Sequence, residues 1–210
     1  MPLQNRVRPD GEIVAAPARC MFMGNRGIIH DHRTRSLLKS RWKTKGWVCC
    51  LTEFKDRNRE VMAKGTYTEL FFLDEVTALA AGHRPCYECR RADALYFQQL
   101  WDRCFGFEAG SKASQINEKL HSQRCSGRSP HVRISADQAE EAVVYAHNED
   151  FFVCRKGKWL QWSFGGYRSG APQYSQLLRQ ITPAGTAAVL KAGYQPVWHP
   201  SAKERKDGPL

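Results

Sequence analysis

Apolar and polar positions alternate differently in the two halves of the chain, and each pattern predicts its own elements. In the first half, the apolar run 67–72 predicts a buried strand, and Asp74 is a favourable N-cap for a helix that ends at Gly82. Apolar residues then recur at positions i, i+3, i+4 and i+7 within 97–104, a spacing that predicts an amphipathic helix. The first half is therefore expected to combine strands and helices.

Short apolar runs separated by turn residues dominate the second half of the chain. This pattern predicts a small antiparallel meander, whose runs span 143–147, 151–154 and 159–164. Thr182 and Pro183 then open a helix that closes at Gly193, and a last strand is expected over 194–199. Together the two halves predict an α+β fold, in which a mixed first module is followed by a β-rich subdomain with one helix.

Shifts in composition divide the chain into parts. We expect an extended N-terminal segment (1–20), a module (21–104) with a basic insert (33–48), a polar connection with a short helix (105–135), a β-rich subdomain (136–202) and a disordered tail (203–210). The structure of the chain is expected to start near Cys20.

The composition is that of an ordinary globular chain with a marked positive charge. Of its 210 residues, 42% are hydrophobic and 25% are charged, which excludes wholesale disorder. No apolar run approaches the roughly 18 residues that a membrane-spanning helix needs. The first 20 residues also lack the apolar stretch of a secretory signal, so we expect a cytoplasmic protein without a membrane partner. The net charge of +11 favours a polyanionic partner, although a solvated basic surface gives the same value.

The most basic stretch of the chain is residues 33–48, which contain no acidic residue. Basic side chains in such a stretch can contact phosphates, and tryptophans between them can stack on bases when they are exposed. Trp42 and Trp47 could equally be partly buried anchors. The predicted nucleic-acid-binding residues are Arg33, Arg35, Lys39, Arg41, Trp42, Lys43 and Lys45.

The spacing of the cysteines indicates a metal site rather than disulfides. The chain has eight cysteines, and in a reducing compartment they are not expected to form a disulfide framework. Two residues separate Cys86 from Cys89, a spacing that lets both thiolates reach one tetrahedral zinc ion at about 2.3 Å. This pair would supply half of a structural zinc site.

Residues 69–89 contain a strand that ends in Phe71-Phe72, a helix that ends in Ala80-Ala81-Gly82, and the sequence Arg84-Pro85-Cys86-Tyr87-Glu88-Cys89. This succession resembles the second half of the zinc-binding domain of bacterial Ada-type methylphosphotriester repair proteins. It is also similar to the zinc modules appended to some nucleases. The resemblance covers residues 21–91, under half of the chain.

The resemblance implies a zinc ion in a closed shell of four protein ligands, as in structural zinc sites. The segment 24–30 is similar to the element that supplies the family's first ligand. The implied ligands are His30, Cys49 or Cys50, Cys86 and Cys89, with His83 as a competing nitrogen ligand.

The resemblance places His30 where the repair proteins have a reactive cysteine, which affects whether the family's methyl-transfer reaction is expected. In the repair proteins a cysteine in that place accepts a methyl group from a DNA phosphotriester. The neutral imidazole of His30 cannot accept it, although the unused member of the 49–50 pair keeps that reaction open.

Three functions are compatible with these features. The first is a zinc-containing nucleic-acid-binding protein, with DNA favoured over RNA. The second is a metal-dependent nuclease or related enzyme, for which the candidate catalytic residues are Glu118 and His121, spaced i, i+3 on a predicted helix, and His199. The third is a zinc-stabilised protein-interaction module that uses aromatic loops at 165–167 and 172–174. An open metal position or a nearby unliganded carboxylate would favour catalysis, and a closed shell would favour binding.

Overall fold

The structure, a computed structural model, describes residues 2–56, 60–125, 133–172 and 178–203. Within these ranges it contains two six-stranded sheets and four α-helices, so the predicted α+β class is confirmed. The tail 203–210, apart from Lys203, and most of the loop 172–174 lie outside the described residues.

The first sheet is formed by residues that precede Cys86, and its strands run in mixed directions. Its strands are β1 (Gln4–Val7), β2 (Ile13–Ala15), β3 (Phe22–Asn25), β4 (Val48–Leu51), β5 (Leu70–Phe72) and β6 (Arg84–Pro85). They lie in the order β2-β1-β5-β3-β4-β6, with β1 parallel to β5 and β4 parallel to β6. The other neighbouring strands are antiparallel.

The residues before Cys20, for which the sequence predicts an extended segment, supply two strands of this sheet. Val7 in β1 and Ile13 in β2 are 0% and 4% exposed, so a buried apolar side chain anchors each strand. Arginines flank Val7 in the sequence, and the short apolar run that begins at Ile13 ends at Pro17, so neither stretch shows the alternation typical of a strand. The first sheet therefore begins well before Cys20.

The second sheet is antiparallel throughout. Its strands are β7 (Arg133–Ile134), β8 (Val144–His147), β9 (Asp150–Arg155), β10 (Lys158–Ser163), β11 (Gly166–Ser169) and β12 (Leu178–Gln180), in the order β11-β10-β9-β8-β12-β7. Strands β8 to β10 are the meander predicted from the apolar runs.

The expected last strand over 194–199 is wrong, because no described residue of that segment lies in a strand. Its backbone bonds instead to two buried carboxylates at the start of a helix. The Val197 N–H donates to Glu75 Oε2 at 2.9 Å, and the His199 N–H donates to Asp74 Oδ2 at 3.0 Å. These carboxylates take the acceptor role that a neighbouring strand would have had.

The helices are α1 (Glu75–Ala80), α2 (Arg91–Phe105), α3 (Ala113–Cys125) and α4 (Ala184–Lys191). Asp74 caps α1 as predicted, since its side chain accepts a hydrogen bond from the Thr77 N–H at 2.9 Å. Among the described helices, none has the length and apolar composition needed to cross a bilayer.

Helix α1 joins the two halves of the molecule, and every one of its residues is buried. Ala78 packs in the core of the first sheet with Phe72. Val76 packs in the core of the second sheet with Val153. The two halves therefore share a helix, and neither buries its core alone.

A third core forms around the longer helices. Ile116 and Leu120 of α3 pack there with Trp101 of α2 and Val189 of α4. The region 105–135, predicted to be a polar connection with a short helix, thus contributes a core helix. This packing fixes α3 beside the basic segment, which we define as residues 33–48.

Candidate metal centre

Three cysteine thiols converge at one end of the first sheet, and we call Cys50, Cys86 and Cys89 the thiol group. Their Sγ atoms all lie within 4.8 Å of one another, close enough to hold one metal ion. The pairing of β4 with β6 places Cys49 opposite Pro85, and the Cys86 N–H donates to the Cys49 carbonyl at 3.0 Å. This pairing of the two strands places Cys50 beside the turn that contains Cys86 and Cys89.

Backbone N–H groups of this turn and of β4 donate to sulfur atoms of the thiol group. The Glu88 N–H donates to Cys86 Sγ and the Leu51 N–H donates to Cys89 Sγ, each at 3.4 Å. Hydrogen bonds from the Cys50 thiol and from the backbone N–H groups of Cys89 and Glu88 lower the pKa of Cys86 to about 5. The same bond with Cys86, together with burial, raises the pKa of Cys50. Because cysteine binds a metal as the thiolate, a metal at this group would displace the thiol protons.

The two vicinal cysteines have different environments because successive side chains of a strand point to opposite faces. Cys50 belongs to the thiol group, whereas Cys49 is fully buried and lies outside it. The Cys49 Sγ accepts a hydrogen bond from Arg90 Nη1 at 3.5 Å, and burial raises its pKa well above the ordinary value. The structure thus separates two residues between which the sequence could not choose.

Both histidines considered as ligands lie outside the thiol group and have other contacts. The Nδ1 atom of His30 lies 2.7 Å from Thr68 Oγ1, and its Nε2 atom lies 3.3 Å from the Ala63 carbonyl oxygen. His83 packs its ring against Phe72 at 4.6 Å between centroids, and its Nε2 accepts from Arg26 Nε at 3.4 Å. Burial and the charges of nearby arginines keep the pKa of His83 well below its ordinary value.

A cavity of about 200 Å³ adjoins the thiol group, and we call it the thiol cavity. Glu69 lines it and is only 6% exposed. One carboxylate oxygen of Glu69 accepts from the Met62 N–H at 2.8 Å, while Oε1 has no hydrogen-bond partner among the described residues. The sequence analysis did not identify Glu69 as a candidate, although a carboxylate directly before the apolar residues of β5 could have indicated a buried acidic side chain.

The described residues supply three thiol ligands rather than the predicted four-ligand Cys₃His set. Thiolates favour soft or borderline metals, and zinc is the commonest of these in tetrahedral protein sites. Three protein ligands leave a fourth coordination position, which is the arrangement of catalytic rather than structural zinc sites. The group is therefore able to hold a metal, and a buried carboxylate lies in the same cavity.

The three predicted catalytic residues each have separate contacts. Both carboxylate oxygens of Glu118 accept from Lys45 Nζ at 2.8 Å, and the ring of His121 lies 4.4 Å from that of Trp42. The Nδ1 atom of His199 lies 2.7 Å from Ser201 Oγ in the turn that follows it. In the described part of the chain, none of the three lines the thiol cavity.

The basic segment is largely exposed and leads directly into β4. Arg35 forms an ion pair with Glu60, and Lys45 forms one with Glu118. The two tryptophans differ: Trp42 is 38% exposed, whereas Trp47 is 5% exposed and is the buried anchor. The other predicted contact residues, all with exposed side chains, are Arg33, Lys39, Arg41 and Lys43.

Comparison with known proteins adds no template for this site. No protein-family model matches the chain, and no match was found among curated proteins or among solved structures. The resemblance of residues 21–91 to the Ada-type zinc-binding domain stays a prediction. The chemistry of the site is argued from the thiol group, from the carboxylate beside it and from the basic segment that leads to it.

Proposed function

We propose that this protein binds nucleic acid, with DNA favoured over RNA, through a basic segment that a zinc ion at the thiol group holds in place. The observation that carries the proposal is that Cys50 lies on the strand into which the basic segment leads. A zinc ion shared by Cys50, Cys86 and Cys89 would tie that strand to the turn after β6. The ion would thus restrain one end of the segment.

The chemistry of the donors supports zinc. Sulfur ligands in a small, partly buried cluster suit a tetrahedral zinc ion, and metal binding of this kind stabilises the fold around it. All eight cysteines, each in the described part of the chain, are free thiols, as is usual in a reducing cytoplasm. The resemblance to a DNA-repair domain is the reason for favouring DNA.

The charge of the basic segment supports phosphate contact. Within the described residues, Arg33, Lys39, Arg41 and Lys43 have no carboxylate partner, whereas Arg35 and Lys45 do. Exposed cations that lack a partner release counterions from a nucleic acid when they contact its phosphates.

The test is the salt dependence of duplex DNA binding by the zinc-loaded protein. Replacing Arg33, Lys39, Arg41 and Lys43 by Gln should flatten the plot of log affinity against log salt by up to about 0.9 per lost phosphate contact. A matched control replaces four lysines outside the segment by Gln, namely Lys64, Lys112, Lys156 and Lys203. Equal slopes for the parent and the segment variant, or equal losses in both variants, would reject the segment as the contact surface.

A second candidate, metal-dependent cleavage of a phosphodiester, is favoured by the two features named above as favouring catalysis, the open fourth metal position and the carboxylate of Glu69. Cleavage requires the nucleic-acid binding proposed first and would add a reaction to it. The Oε1 atom of Glu69 is buried without a partner among the described residues and lines the cavity beside the thiol group. A metal with an open position would supply Lewis-acid chemistry there, and Glu69 would hold or accept a proton. Cleavage of a labelled oligonucleotide by the parent, lost in Glu69→Gln with zinc content unchanged, would support this candidate. Equal cleavage by both proteins, or none by the parent, would reject it.

A further inference from the structure

A second cavity, of about 350 Å³, opens where the basic segment meets the end of α3 and the start of α4. Four arginines line it, and we call it the arginine cleft: Arg26, Arg41, Arg124 and Arg179. They come from β3 and its turn, the basic segment, α3 and β12. The cleft therefore exists only in the folded chain.

Arg26 is 2% exposed and incompletely bonded. Its Nη1 donates to the Gly11 carbonyl at 2.9 Å and its Nε donates to His83 at 3.4 Å, while Nη2 is buried without a partner among the described residues. Arg124 donates through Nη1 to the Gly82 carbonyl at 2.5 Å and through Nη2 to the Lys45 carbonyl at 2.6 Å, and only its Nε lacks a partner within the described chain. Both guanidinium groups thus retain unused donors beside the cleft.

The same two guanidinium groups both lie against the ring of Trp47. The Cζ atoms of Arg26 and Arg124 are 4.0 Å and 3.8 Å from the centroid of its ring. Burial, and for Arg26 also the charge of Arg124, lowers the pKa of Arg26 to about 9 and that of Arg124 to about 10. Both groups remain charged at neutral pH, so two like charges share one aromatic ring.

In the described part of the chain, no carboxylate forms an ion pair with Arg26 or Arg124, although the charge of Asp10 acts on Arg26. Asp10 is the one carboxylate among the described residues that line the cleft, and its Oδ2 already lies 2.9 Å from Arg8 Nη2. A buried charge without a counter-ion is costly. An anion from outside the chain would remove that cost.

The surroundings of the arginines indicate what kind of anion fits. Ala184, the first residue of α4, lines the cleft together with Thr182 and Pro183, which precede the helix, and the amino end of a helix favours negative charge. Trp42 lines it too and keeps 38% of its surface exposed, so an aromatic base can contact its ring. Guanidinium forks suit phosphate oxygens, and the volume falls within the range of small-ligand sites.

We propose that the arginine cleft binds the phosphate group of a nucleotide, with the phosphate on Arg26 and Arg124 and the base against Trp42. The nucleotide is either free or the 5′-phosphorylated end of a nucleic-acid strand. In the second case the proposal rests on the proposed nucleic-acid function and deepens it, because the strand would continue from the cleft onto the basic segment.

The experiment compares three probes with the zinc-loaded protein: a 5′-phosphorylated single-stranded oligonucleotide, the same oligonucleotide with a 5′-hydroxyl, and thymidine 5′-monophosphate. A strand-end site predicts that the phosphorylated oligonucleotide binds about tenfold tighter or more than its 5′-hydroxyl counterpart, the size of one charge-assisted hydrogen bond. A free-nucleotide site predicts binding of the monophosphate without that preference. Absence of both effects would overturn the proposal.

The variants Arg41→Gln and Trp42→Ala test the cleft through side chains that are exposed, so the fold should survive. Each should weaken the cleft-dependent binding several-fold, while Arg91→Gln, an exposed arginine on α2 outside both the cleft and the basic segment, should not. Equal losses in Arg91→Gln and Arg41→Gln would overturn the proposal. Salt-sensitive binding of the 5′-hydroxyl oligonucleotide reports the proposed function separately, so either proposal can fail without the other.

Discussion

Two arginines are buried to nearly the same degree, but only one of them has carboxylates beside its guanidinium group. Arg90 is 5% exposed, and its Nη2 lies 2.8 Å from Glu75 Oε1 and 2.8 Å from Asp93 Oδ2. Burial lowers the pKa of Arg90, but its hydrogen bond with Glu75 and the charge of that carboxylate outweigh burial and raise the pKa above its ordinary value. Arg26 is 2% exposed and bonds to a carbonyl oxygen and a neutral imidazole. Within the described residues, carboxylates thus pair with Arg90 and none forms an ion pair with Arg26.

The thiol group resembles Arg26, except that the missing partner is a cation. Cys50, Cys86 and Cys89 place three sulfur ligands together, and the described groups that donate hydrogen bonds to them include no cation. Carboxylates of the described chain pair with Arg90, whereas we propose a zinc ion for the thiol group and a phosphate for the arginine cleft. The presence or absence of a counter-ion within the described fold is the difference between these clusters.

Removing the metal should have the largest effect. In the double variant Cys86→Ser, Cys89→Ser we expect loss of about one zinc per chain and a fall in the free energy of unfolding of several kcal/mol. The reason is that structural zinc contributes on the order of 10 kcal/mol of binding free energy in zinc-finger peptides. Metal analysis and urea unfolding would measure both. Full zinc retention by the double variant would refute the site.

Removing each buried arginine should have unequal effects. Arg90→Met leaves the buried carboxylate of Glu75 without its cation and should cost about 3–5 kcal/mol of unfolding free energy. Arg26→Met leaves no buried carboxylate behind and should change stability by no more than about 1 kcal/mol. Urea unfolding of the two variants measures the difference. Equal losses would show that Arg26 has an internal partner after all.

Ligand binding should stabilise only the protein that has an intact arginine cleft. Inorganic phosphate at ten times its Kd should raise the unfolding free energy of the parent by about 1.4 kcal/mol through linkage. Arg26→Met should show no such gain, while Arg91→Met, an exposed arginine on α2 outside the cleft, should keep it. Thermal unfolding with phosphate, and with chloride at equal ionic strength, measures the effect. A gain that persists in Arg26→Met would place the anion elsewhere.

Features of the fold that depend on local sequence patterns could be predicted from the sequence. The Cys86 and Cys89 spacing, the Asp74 cap and the meander depend on residues close together in the chain, so spacing and turn chemistry were enough to predict them. The α+β class followed from the same signals. The segment 194–199 was misassigned because its hydrogen-bond acceptors are distant side chains.

The rest depends on tertiary contacts that no local pattern encodes. The choice of Cys50 over Cys49 depends on which face of β4 meets the turn after β6. Glu69 is a candidate only because it lines the thiol cavity. The arginine cleft brings together Arg26 and Arg124, which are far apart in the sequence. A basic residue in a sequence shows its charge but not whether a carboxylate lies beside it.

Zinc content and duplex DNA affinity in Cys50→Ser and Cys49→Ser test most directly whether a zinc ion at the thiol group holds the basic segment for DNA binding. These neighbours differ in which face of β4 they occupy, so each is the control for the other. We expect Cys49→Ser to keep about one zinc per chain and the parental affinity, and Cys50→Ser to lose both. Zinc retained in Cys50→Ser, or DNA affinity unchanged after its zinc is lost, would show that the zinc ion does not have this role.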